Sequence, residues 1–80
     1  MKTPEQIREQ IKNLFETNPR IHVNVNLTHP KLHLENDIAK IVGVYPHVFR
    51  LEEYSTGKPQ CHTLQYTDVM INHIEIIELN

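Results

Sequence analysis

The stretch RIHVNVNLTH, residues 20–29, alternates apolar and polar side chains without interruption. Successive side chains of a β-strand point to opposite faces, so this period of two predicts a strand with one buried and one wet face. The predicted buried face holds Ile21, Val23, Val25 and Leu27, and the wet face holds His22, Asn24 and Asn26. Such a strand needs neighbours in a sheet and another element to cover its apolar face.

A second strand follows directly. The segment KLHLEND, residues 31–37, comes after a turn predicted over Thr28-His29-Pro30. Its alternation resumes the pattern, with the leucines inward and His33 outward. The sequence therefore predicts two neighbouring strands joined by a tight turn.

Further strands are predicted along the rest of the chain. The stretch IAKIVGVY, residues 38–45, is rich in branched apolar residues and contains Gly43. A glycine inside a strand usually marks a bulge or a sharp bend, so we expect this strand to be strongly bent. Three more strands are predicted at VFRLEEY (48–54), QCHTLQY (60–66) and HIEIIEL (73–79).

Upstream of the first strand, TPEQIREQIKNLFETNP, residues 3–19, predicts one amphipathic helix over about residues 4–17. Thr3 and Gln6 form a capping-box pattern at its start. The Asn-Pro pair at 18–19 ends it, because the residue before a proline is disfavoured in the α conformation. The apolar stripe of this helix consists of Ile7, Ile11, Leu14 and Phe15.

The order of these elements predicts the fold class. One N-terminal α-helix is followed by about five short strands over residues 20–79, so we expect a single, mainly β domain spanning residues 1–80. Strands at short spacing joined by tight turns predict a small barrel or a bent antiparallel sheet. A chain of this length buries only about 60% of its unfolded surface, so its core is thin.

Composition restricts the function classes. Ten acidic residues against eight basic ones give a net charge of −2, and no two basic residues are adjacent, which disfavours a strongly basic nucleic-acid surface. The single cysteine, Cys61, excludes an internal disulfide and a CxxC zinc pair and fits a reducing compartment. The start MKTPEQIREQ lacks the apolar run of a signal peptide, and no stretch approaches the roughly 20 apolar residues of a membrane span. We expect a soluble cytoplasmic protein without membrane contact.

Three segments resemble a known family: YPHVF (45–49), LQYTDVM (64–70) and IEIIEL (74–79). They are similar to the C-terminal half of the Veg family, small cytoplasmic proteins of Gram-positive bacteria, and the resemblance covers roughly residues 38–79. It implies a strongly bent, five-stranded SH3-like or Sm-like barrel capped by an N-terminal helix. It also implies an association with the regulation of transcription and no enzymatic activity.

The chain departs from the family pattern between the first two strands. Members carry a stretch rich in Gly, Arg and Lys there, whereas this sequence has NVNLTHPKLHLEND with one lysine. A nucleic-acid role that depends on that stretch is therefore not supported by the sequence of this chain.

The run Tyr45-Pro46-His47 has two interpretations. As a functional site it presents an aromatic side chain on a rim, suited to stacking on a base or gripping a peptide. As a structural feature it is a corner, because proline interrupts a strand ladder, and Tyr45 and Phe49 then fill the core on either side. The second interpretation is favoured, because a small barrel needs such bends.

The chain contains six histidines, of which His22 and His33 are candidate surface residues. Both fall on polar faces of strands predicted to be adjacent, so in the functional interpretation they could face each other across the pair. Zinc needs three or four ligands in tetrahedral array, and the single His-x3-His spacing, from His29 to His33, supplies only two. We expect ordinary half-exposed histidines and no metal; a joint protonation near pH 6.5 is the alternative.

The carboxylates do not predict catalysis. Asp68, in Tyr66-Thr67-Asp68, has no nucleophile or second carboxylate at a recognised spacing and is interpreted as part of a turn or helix start. The pair Glu52-Glu53, like Glu75 and Glu78, is interpreted as solvated. We therefore expect no catalytic residues, no cofactor and no enzyme.

Two functions remain as hypotheses. The first is a non-enzymatic protein-interaction module with an unknown protein partner, whose candidate surface comprises Tyr45, Pro46, His47, His22 and His33. The alternative is an Sm-like protein that binds single-stranded nucleic acid, which the charge disfavours. A monomer is favoured, because Lys31, Lys40 and the paired glutamates place charge along candidate sheet edges.

Overall fold

The elements of the structure follow the predicted order, with the helix first and the strands after it. The computed structural model describes residues 2–29 and 31–79. Its elements are, in chain order, α1 (Pro4–Thr17), β1 (Arg20–Thr28), β2 (Lys31–Val44), β3 (Val48–Glu53), β4 (Gln60–Gln65), α2 (Tyr66–Met70), β5 (Ile74–Ile76) and a 3-10 turn (Ile77–Leu79). No helix in this described part of the chain is both long and apolar enough to cross a membrane.

Helix α1 begins at the predicted capping box. The Thr3 hydroxyl accepts a hydrogen bond from the Gln6 N–H at 3.2 Å, and Gln6 Oε1 accepts one from the Thr3 N–H at 2.9 Å. Two donors that the start of a helix leaves unpaired are thereby satisfied. Ile7 and Ile11 are buried, whereas Phe15 is 39% exposed. The helix bounds are confirmed, and one aromatic ring of the apolar stripe stays partly uncovered.

Five strands of the described chain form one antiparallel sheet in the order β4-β3-β2-β1-β5. β1 and β2 pair up to the tip of their hairpin, where Thr28 faces Lys31. Pro30, which the sequence places in this turn, lies outside the described residues. β4 and β5 stand at opposite ends of the order and do not pair with each other. The mainly β architecture with an N-terminal helix is confirmed, and because the sheet is open, a closed SH3-like or Sm-like barrel is not.

Strand β2 is long and bent, and it joins two stretches, residues 31–37 and 38–45, that the sequence predicts as separate strands. Opposite Asn24 of β1 it carries two residues, Glu35 and Asn36, which form a β-bulge. Asn36 has a left-handed φ of 50°, a conformation that asparagine tolerates better than most residues. Its N–H donates to Oδ1 of Asn24 at 2.7 Å. The bulge is therefore satisfied by a side chain of the facing strand, and β2 continues through the expected break.

A second bulge lies beside Gly43, where the sequence predicts one. Ile41 pairs with Leu51 and Gly43 pairs with Arg50, so Val42 is the extra residue. Bulges bend a strand and increase its twist. The two bends fall in β2, the strand of the sheet against which α1 packs.

The core lies between the inner face of the sheet and α1. The alternation predicted for β1 is confirmed, because Ile21, Val23 and Val25 are buried. Phe49 and Tyr66 stack with a ring-centroid distance of 5.4 Å. The buried apolar residues are Ile7, Ile11, Ile21, Val23, Val25, Leu34, Ala39, Ile41, Phe49, Leu51, Leu64, Tyr66, Ile74 and Ile76.

Glu53 is a charged residue of this core, and the interpretation of Glu52-Glu53 as a solvated pair was wrong for it. Its carboxylate lies 3.0 Å from Nε2 of His62 and accepts the Ser55 N–H at 2.7 Å, and the residue is fully buried. The period of β3 explains the placement, because residue 53 shares the inward parity of Phe49.

The titration of Glu53 links this contact to stability. Burial works to raise the pKa of Glu53, but the hydrogen bonds from Ser55 and His62 outweigh it, so the pKa lies below its ordinary value. A depressed pKa contributes stability that is present above the unfolded-state pKa of about 4.3 and is lost as the pH falls through the folded-state pKa.

Replacing Glu53 by alanine is expected to lower the free energy of unfolding by about 2 kcal/mol at neutral pH, because the Ser55 N–H and the His62 ring lose their buried acceptor. Chemical denaturation measures this change. Glu53→Gln is the control, since it keeps the shape of the side chain and removes the charge. The stability advantage of the unmodified protein over Glu53→Gln should shrink below about pH 4, and an advantage independent of pH would contradict this account.

Candidate functional site

Tyr45, Pro46 and His47 form the connection between β2 and β3. The Tyr45 N–H donates to the Val48 carbonyl at 2.9 Å, which closes the hairpin. Pro46 and His47 lie outside the strand ladder and are exposed. The predicted corner is confirmed.

The Tyr45 side chain does not fill the core, contrary to the prediction. It is 47% exposed, whereas Phe49 is fully buried as expected. The bulge at Val42 shifts the parity of the strand, so that Val44 pairs with Phe49 on the inner face and Tyr45 points the other way. A Cβ atom added at Gly43 would stand 2.7 Å from Cε2 of Tyr45. The ring therefore occupies the space that a side chain at position 43 would need.

Two side chains from other elements hold the corner in place. The Tyr66 hydroxyl donates to the Tyr45 carbonyl at 2.7 Å, and Nη1 of Arg8 donates to the Pro46 carbonyl at 3.1 Å. Burial raises the pKa of the Tyr66 hydroxyl, so the group is protonated at neutral pH and can donate. The corner is thereby tied to α1 on one side and to α2 on the other.

An open groove of about 450 Å³ lies between α1 and the corner. We call it the corner groove. Its apolar lining consists of Phe15, Val44, Tyr45 and Pro46. Its charged lining consists of Arg8, Glu9, Lys12 and Glu16. Two partly exposed aromatic residues thus line one concavity beside charges of both signs.

The two candidate histidines do not face each other. His22 pairs with Ile38 and His33 pairs with Asn26, because the register of the hairpin offsets them. The His22 main-chain N–H donates to the Glu78 carboxylate, whose Oε2 also lies 3.1 Å from Nδ1 of the same histidine. Across residues 2–29 and 31–79 no group of three or more His, Cys, Asp or Glu residues could hold a metal ion.

The carboxylate of Glu78 is not simply solvated either. Burial works to raise its pKa, but the bonds from the His22 main chain and ring outweigh this effect and lower the pKa overall. Asp68 lies in the short helix α2, in agreement with a helix start, and its carboxylate is 3.9 Å from the His73 ring.

The outer face of the sheet gathers basic residues that the sequence analysis treated as scattered. Arg20 pairs directly with Lys40, and Lys40 also pairs with Glu52 of β3. Arg50 lies on the same face, two residues before Glu52. None of the three cations forms an ion pair with a carboxylate of the described residues. Tyr54, whose hydroxyl bonds to Glu52, is 47% exposed beside them.

This basic outer face had one signal in the sequence, which was strand parity. Residues 20, 40 and 50 all precede an inward-facing residue, namely Ile21, Ile41 and Leu51. Their alignment across three strands depends on the register, which hairpin length alone did not predict.

No family model, no curated protein and no solved structure matches the chain. The resemblance of its C-terminal half to the Veg family stays a prediction.

Gly43→Ala is expected to displace the Tyr45 ring and to change the free energy of unfolding by less than about 1 kcal/mol, because the obstructing atoms end an exposed side chain that can rotate away. Loss of nuclear Overhauser contacts between residue 43 and the Tyr45 ring would detect the displacement. Gly57→Ala is the control: its φ of 85° makes alanine strained, at a cost of about 1–2 kcal/mol, without an effect on Tyr45. A ring that keeps its contacts in Gly43→Ala would contradict the expectation.

Proposed function

We propose that the chain is a non-enzymatic protein-interaction module that holds a short segment of a protein partner in the corner groove. The observation that carries this proposal is the pair of partly exposed aromatic residues, Phe15 and Tyr45, lining one concavity on a corner that Arg8 and Tyr66 fix. Aromatic side chains are enriched among the residues that contribute most to protein interfaces.

The size of the groove supports a small ligand segment. A concavity of about 450 Å³ accommodates one or two large side chains and is too small for a folded domain. A fixed corner loses little conformational freedom on binding, which favours affinity. The partner segment is therefore extended or helical and presents an aliphatic or aromatic side chain.

The charged lining adds a criterion for selection. Arg8 and Lys12 lie on the same helix as Glu9 and Glu16, so both signs occur within two turns. A partner segment that carries a single charge beside its apolar side chain would form one attractive contact with a residue of opposite charge. It would not be repelled by a groove lined with charges of one sign only.

The fold class and cellular context belong to the same proposal. The sheet is bent at two bulges, and its last strand returns to pair with its first, an arrangement that supports an open SH3-like or Sm-like architecture. The resemblance to the Veg family supports a place in the regulation of transcription in the cytoplasm. The free, exposed thiol of Cys61 suits a reducing compartment.

Selection from a displayed random-peptide library tests this function. Peptides enriched by the unmodified protein should bind at least about tenfold more weakly to Tyr45→Ala, because the substitution removes an aromatic lining of the groove. Tyr54→Ala is the matched control, since Tyr54 has the same exposure but does not line the corner groove. Amide chemical shifts should move at residues 8–16, 44 and 45 on binding. Enriched peptides that bind Tyr45→Ala undiminished, or no enrichment, would refute the groove as the site.

A second candidate function is the binding of single-stranded nucleic acid on the basic outer face. The observation that favours it is the alignment of Arg20, Lys40 and Arg50 beside the exposed Tyr54, since cations that contact phosphates and an aromatic ring that stacks on bases are the two components of such sites. Glu52 lies among them and opposes phosphate binding.

Titration of a labelled single-stranded oligonucleotide at low salt tests this alternative. Arg50→Ala is expected to weaken binding and to reduce the salt-dependence slope by about one phosphate contact. Lys58→Ala, with the same loss of charge in the β3–β4 turn, should leave binding unchanged. Absence of any binding at micromolar protein would exclude nucleic acid as the ligand of this face.

A further inference from the structure

The two edges of the sheet differ in how they are protected. The β4 edge spans six residues, Gln60–Gln65, paired to β3 without a bulge. Its sequence QCHTLQ contains no Lys, Arg, Asp, Glu or Pro, the residues with which proteins usually block pairing at an edge. No strand of the described chain pairs with its outer side.

The opposite edge of the sheet is a short strand, and a side chain binds the main chain where this strand ends. β5 has three residues, Ile74–Ile76. Where it ends, the Glu78 carboxylate takes over the exposed N–H of His22 on β1, at 2.8 and 3.0 Å. A charged side chain that binds an edge N–H and a short edge strand both prevent a further strand from pairing with that edge. The sheet therefore has one blocked edge and one open edge.

The main-chain groups that the open edge offers follow from the ladder. The bond from the Tyr45 N–H to the Val48 carbonyl makes Tyr45 and Val48 a hydrogen-bonded pair. Hydrogen-bonded and non-hydrogen-bonded pairs alternate along an antiparallel ladder, so the next pair, Val44 and Phe49, does not exchange hydrogen bonds. Successive residues of a strand direct these groups to alternate sides, so Phe49 bonds to its partner Leu64 on β4.

The same alternation along β4 identifies the main-chain N–H and C=O groups that do not bond to β3. His62 and Gln60, like Leu64, direct their N–H and C=O groups toward β3. The N–H and C=O groups of Cys61, Thr63 and Gln65 then point away from the sheet. Cys61 and Thr63 thus offer a donor and an acceptor each to a strand that pairs with this edge. Gln65 offers its N–H, because it is the N-cap of α2 and its C=O accepts the first hydrogen bond of that helix.

A second copy of β4 matches this arrangement. In an antiparallel strand pair, two residues that face each other direct their side chains to the same face of the sheet. When a two-fold axis relates the two strands, one residue must therefore face its own copy across the axis. An axis through Thr63 pairs Thr63 with its copy and Cys61 with Gln65. This gives about four hydrogen bonds: two between Thr63 and its copy, and one from each Gln65 N–H to a Cys61 carbonyl. An axis through His62 gives about the same number but brings the two His62 side chains together.

Charge also permits the self-pairing. Facing residues in such a pair are identical or interchanged, so a charged residue near the axis would meet its own copy, and β4 has no formally charged residue. The nearest cation on the outer face is Arg50, which pairs with Thr63. It would lie three strand spacings from its copy, roughly 14 Å, beyond the screening length of about 8 Å.

We propose that the β4 edge pairs with the β4 edge of a second copy of this chain, antiparallel and with the two-fold axis at Thr63, to give a dimer with one continuous sheet. The charges that favoured a monomer do not oppose it, because Lys31 and Lys40 lie on β2 and Glu52 and Glu53 on β3, all inside the sheet.

Sedimentation and light scattering of the full chain from micromolar to submillimolar concentration test the dimer. Thr63→Lys should weaken it strongly, because two lysines would meet at the axis. Thr63→Pro should weaken it roughly thirtyfold, because two symmetry-related hydrogen bonds are lost, while the bonds between β3 and β4 are kept. Thr56→Lys, in the β3–β4 turn, is the matched control and should leave the dimer unchanged. Circular dichroism checks that each variant is folded.

Cysteine cross-linking tests the register. In a Cys61→Ser background, Thr63→Cys places two thiols on residues whose Cα atoms would be about 5.5 Å apart, within the range of a disulfide. His62→Cys in the same background would cross-link only if the axis passed through residue 62. Native Cys61 would be roughly 14 Å from its copy and should not cross-link under the same mild oxidation.

A dimer that Thr63→Lys and Thr63→Pro weaken, and that cross-links at position 63, supports the inference. A chain that stays monomeric at every concentration overturns it, as does a dimer unaffected by both substitutions. Assemblies larger than two would also overturn it, because they require β4 to pair with a different edge.

Discussion

Strand β2 pairs with β1 along one side and with β3 along the other, and each pairing contains one β-bulge, which bends the strand. At the first bend the extra residue takes a left-handed conformation, and the Asn24 side chain satisfies its N–H. At the second bend Val42 is inserted, which exchanges inward and outward positions for the residues that follow. The parity change places Val44 against the core and turns Tyr45 outward over Gly43. The corner groove therefore exists because a bulge precedes it, and the bulge is tolerated because a neighbouring glycine leaves room for the ring.

The surfaces of this small domain differ in their chemistry. One end combines aromatic residues with charges of both signs, whereas the outer face aligns cations from three strands around Glu52. The edges differ as well, because a carboxylate continues the ladder where β5 ends, whereas no side chain of residues 2–29 and 31–79 does so beside β4. Because the core of this chain is thin, about two-fifths of its unfolded surface stays exposed after folding and is available for contacts with partners. The functional proposals use these surfaces rather than any reacting group.

Several sequence predictions succeeded because they depend on neighbours along the chain. The capping box of Thr3 and Gln6, the period of β1 and the bulge near Gly43 are local patterns, and each was found where it was expected. Predictions about which residues contact each other across the sheet were less successful. His22 and His33 lie on the polar faces of paired strands, but the turn that pairs Thr28 with Lys31 places His33 opposite Asn26 and not opposite His22. The burial of Glu53 was readable from the parity of β3, yet its acidic character suggested solvent, because the partner that stabilises it, His62, comes from another strand.

What the amino-acid sequence determined by itself is the set of elements: a capped amphipathic helix, alternating strands, a glycine-marked bend and a proline corner. Each of these follows from the conformational preferences and hydrophobic period of a few consecutive residues. Only the tertiary structure decided which side chains meet, that the sheet stays open, that three separated cations align across neighbouring strands, and which strands form its edges. These features depend on register, and a shift of a single residue moves every following side chain to the opposite face, so they are properties of pairing rather than of local sequence.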